Sequence, residues 1–159
     1  MKEVGHDLML SLVVFSVADQ RYALNLPVVE RVLSMVEVSP LPKAPVIVLG
    51  VINLHGQIIP AIDIRRRFGH SPIHYGLTAC LLVAQTSRRR LALPVDEVLG
   101  VQEVSSENVT LPGAVLPGTG LVAGIAALSD GVLLIHDLDT FLSLDEEQRL
   151  TVALEGNLE

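Results

Sequence analysis

The chain has 159 residues, 50% of them hydrophobic but only 3% aromatic, and a formal net charge of -7. This length allows one compact domain, or two small subdomains sharing a core, filled by Val, Leu, Ile and Ala rather than by rings. Nucleic acid is not an expected partner, because the basic runs Arg65–Arg67 and Arg88–Arg90 lack interleaved aromatics, and membrane insertion is not expected, because the longest apolar stretch, Ala44–Leu54, is broken by Pro, Gly and Asn.

The N-terminal "MKEVGHDLML" has no continuous apolar region followed by a cleavage site, so it reads as no secretory signal and the expected location is cytoplasmic. Beyond it, short Val/Leu/Ile runs alternate with Gly, Pro and Asp punctuation, which predicts ten strands. In chain order they are Leu8–Val17, Arg21–Leu26, Val32–Val38, Ile47–Ile52, Gln57–Ile62, Thr78–Gln85, Arg89–Pro94, Val98–Val104, Leu121–Ala127 and Val132–Ile135. Asp19-Gln20 and Ser87-Arg88 read as tight links, and Ser129-Asp130-Gly131 as a turn with positive φ.

Two segments read as helix. "DIRRRFG" opens on Asp63 as N-cap and stops at Gly69, while Leu138, Phe141 and Leu142 at i, i+3, i+4 predict a helix from about residue 137. Residues 146–159 read as a polar, mobile tail. The single cysteine, Cys80 in "TACLLVA", reads as a small core residue.

An internal echo runs through this pattern. Gly50–Phe68 laid over Gly124–Leu142 matches Gly50 with Gly124, Leu54 with Leu128 and Asp63 with Asp137, and "YALNLPVV" resembles "LALPVDEV" upstream. The expected architecture is all-β with short helices: one domain over 8–145, built of two packed barrels at about 8–64 and 76–136.

Chemistry is scarce. No nucleophile elbow, P-loop, zinc-binding helix or dinucleotide fingerprint is present. His6, His55, His70, His74 and His136 are scattered, only His70 and His74 sit at a metal-like spacing, and proline makes that stretch a loop. Asp96-Glu97 and Asp137/Asp139 read as solvated charge or helix caps, and no cofactor is implied. The segment "LNLPVVERVLSMVEV" instead carries a surplus of apolar side chains, Val28, Val29, Val32, Leu33 and Met35. Either both faces are buried between abutting barrels, or one face is left for a partner.

The order of "YALNLPVVERV", "PLPKAP", "LGVINLHGQIIPAIDIRRRFG", "LALPVDEVLGVQEV" and "LVAGIAALSDGVLLIHDLDTFL" resembles the CheW family of chemotaxis coupling proteins, over about Leu10–Leu142. Its most specific element is Gly50, Asn53, Leu54, Gly56, Pro60 and Asp63. The resemblance implies two SH3-like five-stranded barrels and a non-catalytic adaptor in receptor arrays. Its partners would be the regulatory domain of a CheA-type histidine kinase and the cytoplasmic tip of chemoreceptors. It places the kinase at Val29, Arg31, Val32, Leu33 and Val36, and the receptor at Asn53, Leu54, His55, Gly56, Val95 and Val98, in a groove between the barrels near the Asn-Leu-x-Gly turn. Two positions depart from the family pattern: His55 stands where arginine is usual, and Arg31 where glutamate is frequent. These departures suggest a paralogue serving a specialised array. Exposed apolar surface also admits weak self-association. The alternatives are a small barrel enzyme or ligand carrier using His55, His136 or Asp137 between the barrels, and a detached regulatory domain of a CheA-type kinase; Met1 and the polar tail favour a free-standing chain over the latter.

Overall fold

A computed structural model describes residues 8–71, 76–110 and 122–157. The first unit contains β1 (Met9–Val17), β2 (Gln20–Asn25), β3 (Val29–Ser34), β4 (Val48–Leu54), β5 (Gln57–Ile62) and the one-turn helix α1 (Ile64–Arg67). The second repeats that order as β6 (Cys80–Gln85), β7 (Arg90–Val95), β8 (Glu97–Ser105), a two-residue β9 (Val109–Thr110), β10 (Val122–Leu128), β11 (Gly131–His136) and helix α2 (Leu144–Asn157). The expected strand at Val32–Val38 lies earlier, at Val29–Ser34, because Pro27 starts a 3-10 turn that delivers the chain directly into it. The first tight turn is Ala18-Asp19 rather than Asp19-Gln20, both residues having positive φ (53° and 65°) as a two-residue hairpin with the sheet's right-handed twist requires.

The barrels are not the contiguous halves 8–64 and 76–136. One sheet has the order β8-β1-β2-β11-β10-β9 and the other β3-β6-β7-β5-β4. Each repeat therefore gives its opening hairpin to the other repeat's strands. Hairpin β1–β2 lies antiparallel to β8 and parallel to β11, and hairpin β6–β7 lies antiparallel to β3 and parallel to β5. The same device closes both sheets. The chain leaving β3 returns through Ser39, which exchanges two 2.8 Å backbone hydrogen bonds with Val51 on β4, while β9 continues from β8 to pair with β10. The matched glycines sit at these closures. A Cβ on Gly50 would lie 2.1 Å from the Ser39 carbonyl oxygen, and one on Gly124 would lie 2.7 Å from Val109 Cγ1.

Strand exchange explains why β1 and β7 are apolar without alternation. Leu12 and Val14 fill one barrel with Ala23, Leu133 and Ile135, whereas Val13, Phe15 and Val17 face the other barrel. Ala92 fills the second barrel with Ile52, Ile59, Leu81 and Val83, while Leu91, Leu93 and Val95 join the layer between them. Phe15, Tyr22, Phe68 and Phe141 all meet in that middle layer with His70 and His136, so the few aromatics are concentrated at the joint.

The C-terminal segment corrects the expected mobile tail. Residues 144–157 form α2, with Leu150 and Ala153 buried. Ser143 Oγ accepts the Glu146 N–H at 3.1 Å while Glu146 Oε1 accepts the Ser143 N–H at 2.8 Å, a reciprocal capping box. Residues 158–159 lie outside the described residues.

Candidate docking surfaces

The β4–β5 turn is built by three residues and presents a fourth. Asn53 Oδ1 accepts the Gly56 N–H at 2.8 Å, Gly56 takes φ 90°, and Leu54 packs partly against the barrel cluster. His55, at φ 53°, is left exposed at the tip. Both turn residues in the left-handed region fit a type I′ hairpin, in which glycine at the second position is least strained.

Beside the turn, β3 and the irregular segment that follows it divide their side chains. Leu33 on β3 and Met35 just beyond it pack on the barrel cluster, whereas Val32 on β3 and Val36 beyond its end remain 47% and 45% exposed. Of the apolar surplus, Val28 and Val29 pack against the middle layer and Leu33 and Met35 against the barrel, and Val32 is the member left outward, joined by Val36. Glu30, Arg31, Leu54, His55, Gln57 and Arg90 line an open cleft of about 510 Å³ between this strand and the turn. Its floor is fixed by the Arg90–Glu30 ion pair at 2.8 Å and by Arg90 donating to Gln57 Oε1. Among the described residues Arg31 makes no ion pair, so its charge is offered outward. Arg31 and His55 therefore share one cleft.

The expected receptor residues do not share one place. Val95 has 0% exposure and lies in the layer between the barrels, so its side chain touches no partner; β7 is covered on both faces, which its position after a proline did not reveal. Val98 is half-buried on β8 opposite Phe15, in the sheet that does not carry the turn. Val29, the other half-buried member of the kinase set, packs at the edge of the middle layer.

A second groove follows the seam between the barrels. Asn25, Val28, Thr86, Ser87, Ala123 and Asp139 are among the residues lining one stretch of about 470 Å³. Met9, Leu10, Leu26 and Pro27 line an adjoining stretch of about 570 Å³ that shares Asn25 and Val28. The expected kinase and receptor sets include none of these, although His136 and Asp137, named for a pocket between the barrels in the ligand-binding alternative, line the first stretch. The clue to the second was the exposed apolar cluster at Leu8, Met9 and Leu26, which becomes a surface only when β1 and β2 are placed.

The polar residues considered for catalysis have structural partners. His136 stacks on Phe68 at 4.3 Å, and Asp137 Oδ1 caps the Asp139 N–H at 3.1 Å. His136 and Asp137 line the seam groove together but His55 lies in the other cleft, so the three candidates of the enzyme alternative are not brought to one place. His70 Nε2 is 2.7 Å from the Tyr22 hydroxyl, whose pKa burial pushes up; His74 lies outside the described residues. Asp96 is no solvated charge: it binds Arg65 Nη2 at 2.7 and 2.5 Å and accepts the Ala18 N–H at 2.8 Å. Cys80 is half-buried, its thiol pKa raised by burial, with a smaller contribution from Glu97, against the opposing Val98 backbone hydrogen bond. Among the described residues no three His, Cys, Asp or Glu side chains are grouped to hold a metal, and no helix is long and apolar enough to cross a membrane.

The model of the CheW-like domain matches residues 11–146, nearly the whole described fold. The chain belongs to the CheW-like domain family. It is 27% identical to the chemotaxis protein CheW of Rhizobium meliloti (strain 1021) over 86% of this chain and 90% of that protein. It is 30% identical to the chemotaxis protein CheW of Thermotoga maritima over 80% of this chain and 84% of the relative. The crystal structure of the scaffolding protein TtCheW from Thermoanaerobacter tengcongensis superposes with a TM-score of 0.80 at 28% identity, covering 87% of this chain and 96% of that one. The two-sheet CheW-like architecture and the chemotaxis context of the family are thereby established for the chain.

Proposed function

We propose that this CheW-like protein is a non-catalytic chemotaxis adaptor that couples the regulatory domain of a CheA-type histidine kinase to the cytoplasmic tip of chemoreceptors. It works in the cytoplasm and reaches receptor arrays through its partners. The observation that carries this reading is the exposed pair Val32, on β3, and Val36, just beyond it, on a domain matching the family over residues 11–146.

The kinase domain docks on Val32 and Val36, with Leu33 and Val29 supporting the strand from beneath and Arg31 reading charge at its rim. Burial of the valines contributes roughly 25 cal/mol per Å² removed from water. The receptor's helical hairpin lies along the seam groove, where Leu26, Val28 and Met9 present apolar surface next to hydrogen-bonding Thr86 and Ser87. His55, on the shaped Asn53–Gly56 turn, and Val98 flank these surfaces rather than forming their centre. Moderate affinity at both faces suits an array that rearranges during signalling.

Titration against the regulatory domain of the CheA-type kinase from the same organism tests the proposal. Micromolar binding is expected, weakened about tenfold by Arg31→Glu and little changed by His55→Ala. No binding at concentrations where the protein is monomeric sinks the adaptor reading. Tighter binding of Arg31→Glu or His55→Arg to these same partners sinks the idea that the two departures tune the protein to a specialised array.

A further inference from the structure

Helix α2 enters from the barrel that ends in β11 and is fastened to the other barrel at two points. Arg67, on the helix after β5, places Nη2 2.7 Å from each Glu146 carboxylate oxygen. Arg89, in the β6–β7 turn, donates from Nε to Glu147 Oε1 at 2.9 Å and from Nη2 to Thr151 Oγ1 at 2.6 Å. Glu147 is itself buried, and Leu150, with Leu154 packed beside it, seats the same face of the helix in the core between the barrels. Each of the two basic runs of the sequence thus gives one arginine, Arg67 and Arg89, to holding this helix.

The fastening lies behind the seam groove. One groove wall is Thr86 and Ser87, in the turn gripped by α2; the other includes Ala123 and Asp139, from the barrel that α2 leaves. Ser87 N–H donates across the groove to Asp139 Oδ1 at 2.8 Å. Thr86 Oγ1 accepts the Arg88 and Arg89 N–H groups at 3.0 and 2.9 Å, so a pull on Arg89 is passed to the groove wall through a rigid turn. The gripping residues Glu147, Leu150, Thr151 and Ala153 also lie past residue 146, where the family match ends.

From this geometry we infer that α2 is a clasp that sets the width of the seam groove, with Arg89, Glu147 and Thr151 as positioning residues for the receptor hairpin proposed to lie there. The inference rests on that receptor assignment for its functional consequence, but its mechanical part does not. β3 is held along its length by β6, and Val32 pairs with Leu82, four residues before the gripped turn at 86–89, so release of the clasp leaves Val32 and Val36 where they are and receptor and kinase affinities separate.

The experiment uses the full chain as Arg89→Glu, Glu147→Arg and the double exchange. Amide hydrogen exchange is read at residues 86–89 and 137–140, and binding is measured with a receptor cytoplasmic-tip fragment and with the kinase regulatory domain. Each single reversal is expected to speed exchange at both groove walls at least fivefold and to weaken receptor binding by a similar factor, with kinase binding within twofold. The double exchange restores both. If the single variants leave exchange at the groove walls unchanged, or if receptor and kinase binding fall together, the clasp is overturned. If exchange responds as expected but the unmodified protein binds no receptor tip, the receptor assignment fails and the clasp stands. Should Arg89→Glu fail to fold, Thr151→Val, which at nearly constant shape removes the hydroxyl that accepts from Arg89 and donates to the Glu147 carbonyl, is expected to give the same split in smaller measure, and equal loss at both partners overturns the inference.

Discussion

Gly50 and Gly56 look alike in the sequence and differ in what they carry. At Gly50 the closing segment passes so near that a Cβ would meet the Ser39 oxygen at 2.1 Å, and neither backbone can retreat without breaking the two Ser39–Val51 hydrogen bonds. At Gly56 no atom lies within 4 Å, and only the left-handed φ of 90° resists a side chain. Gly50→Ala is therefore expected to cost 3 kcal/mol or more, on the order of a strained site combined with lost hydrogen bonds. Gly56→Ala should cost about 1–2 kcal/mol. Urea midpoints of the two variants check the ranking, and equal losses would show that the Ser39 closure yields. The sequence alignment of Gly50 with Gly124 flagged both closures, but the physical reason needed the partner strand. The same limit produced the misplacement of Val95: an apolar residue beside an aspartate is compatible with a rim or a core, and only the packing of β7 between two layers decides.

At the scale of elements, strands were legible because period-two patterning and Gly/Pro punctuation are local signals, and Gln57–Ile62 was legible to the residue. The C-terminal helix is expected from about residue 137, where the chain instead makes a 3-10 turn over Leu138–Thr140, and the body of α2 reads as a mobile tail although its start is written in Ser143-x-x-Glu146, because its buried face holds only Leu150, Ala153 and a paired Glu147 and gives little apolar periodicity. Two predictions follow from that start. Ser143→Ala removes the acceptor for the Glu146 N–H and should lower stability by about 1 kcal/mol in thermal or urea unfolding. Burial pushes the Glu146 carboxyl up, but the Ser143 hydrogen bonds and the Arg67 guanidinium outweigh it and hold its pKa below the ordinary 4.5. Because the folded value is the lower one, its contribution is complete above the ordinary glutamate range and is lost as pH falls through the folded value. Between about pH 6 and pH 3 the unmodified protein should lose more stability than Glu146→Gln, and parallel profiles would show that the Arg67 contact is not felt in solution.

For the whole molecule, the sequence showed two repeats but not that they exchange hairpins, since hydrophobic periodicity fixes which face is buried and says nothing of which strand lies alongside. The consequence is energetic. Neither barrel is encoded by a contiguous segment: the sheet with β10 and β11 is incomplete without β1 and β2, and the sheet with β4 and β5 is incomplete without β6 and β7. A buried tie crosses the joint as well, Arg65 at 3% exposure bound to Asp96, which also takes the Ala18 N–H from the hairpin of the other barrel. Asp96→Ala takes away the carboxylate bound to buried Arg65 and the acceptor for the Ala18 N–H and should cost about 3–5 kcal/mol, felt by both barrels together. The expectation for unfolding is therefore one transition, with calorimetric and van't Hoff enthalpies equal. Fragments ending and starting between residues 71 and 76 should each be unfolded alone and fold on mixing, because each supplies the strands the other lacks. Two resolved transitions, or a protected fragment on its own, would mean that one barrel is stable without its borrowed hairpin. The inter-barrel seam would then be a hinge between two independent bodies, and the separation of kinase and receptor affinities expected from the clasp variants would have to arise from motion of whole barrels instead of from the groove walls.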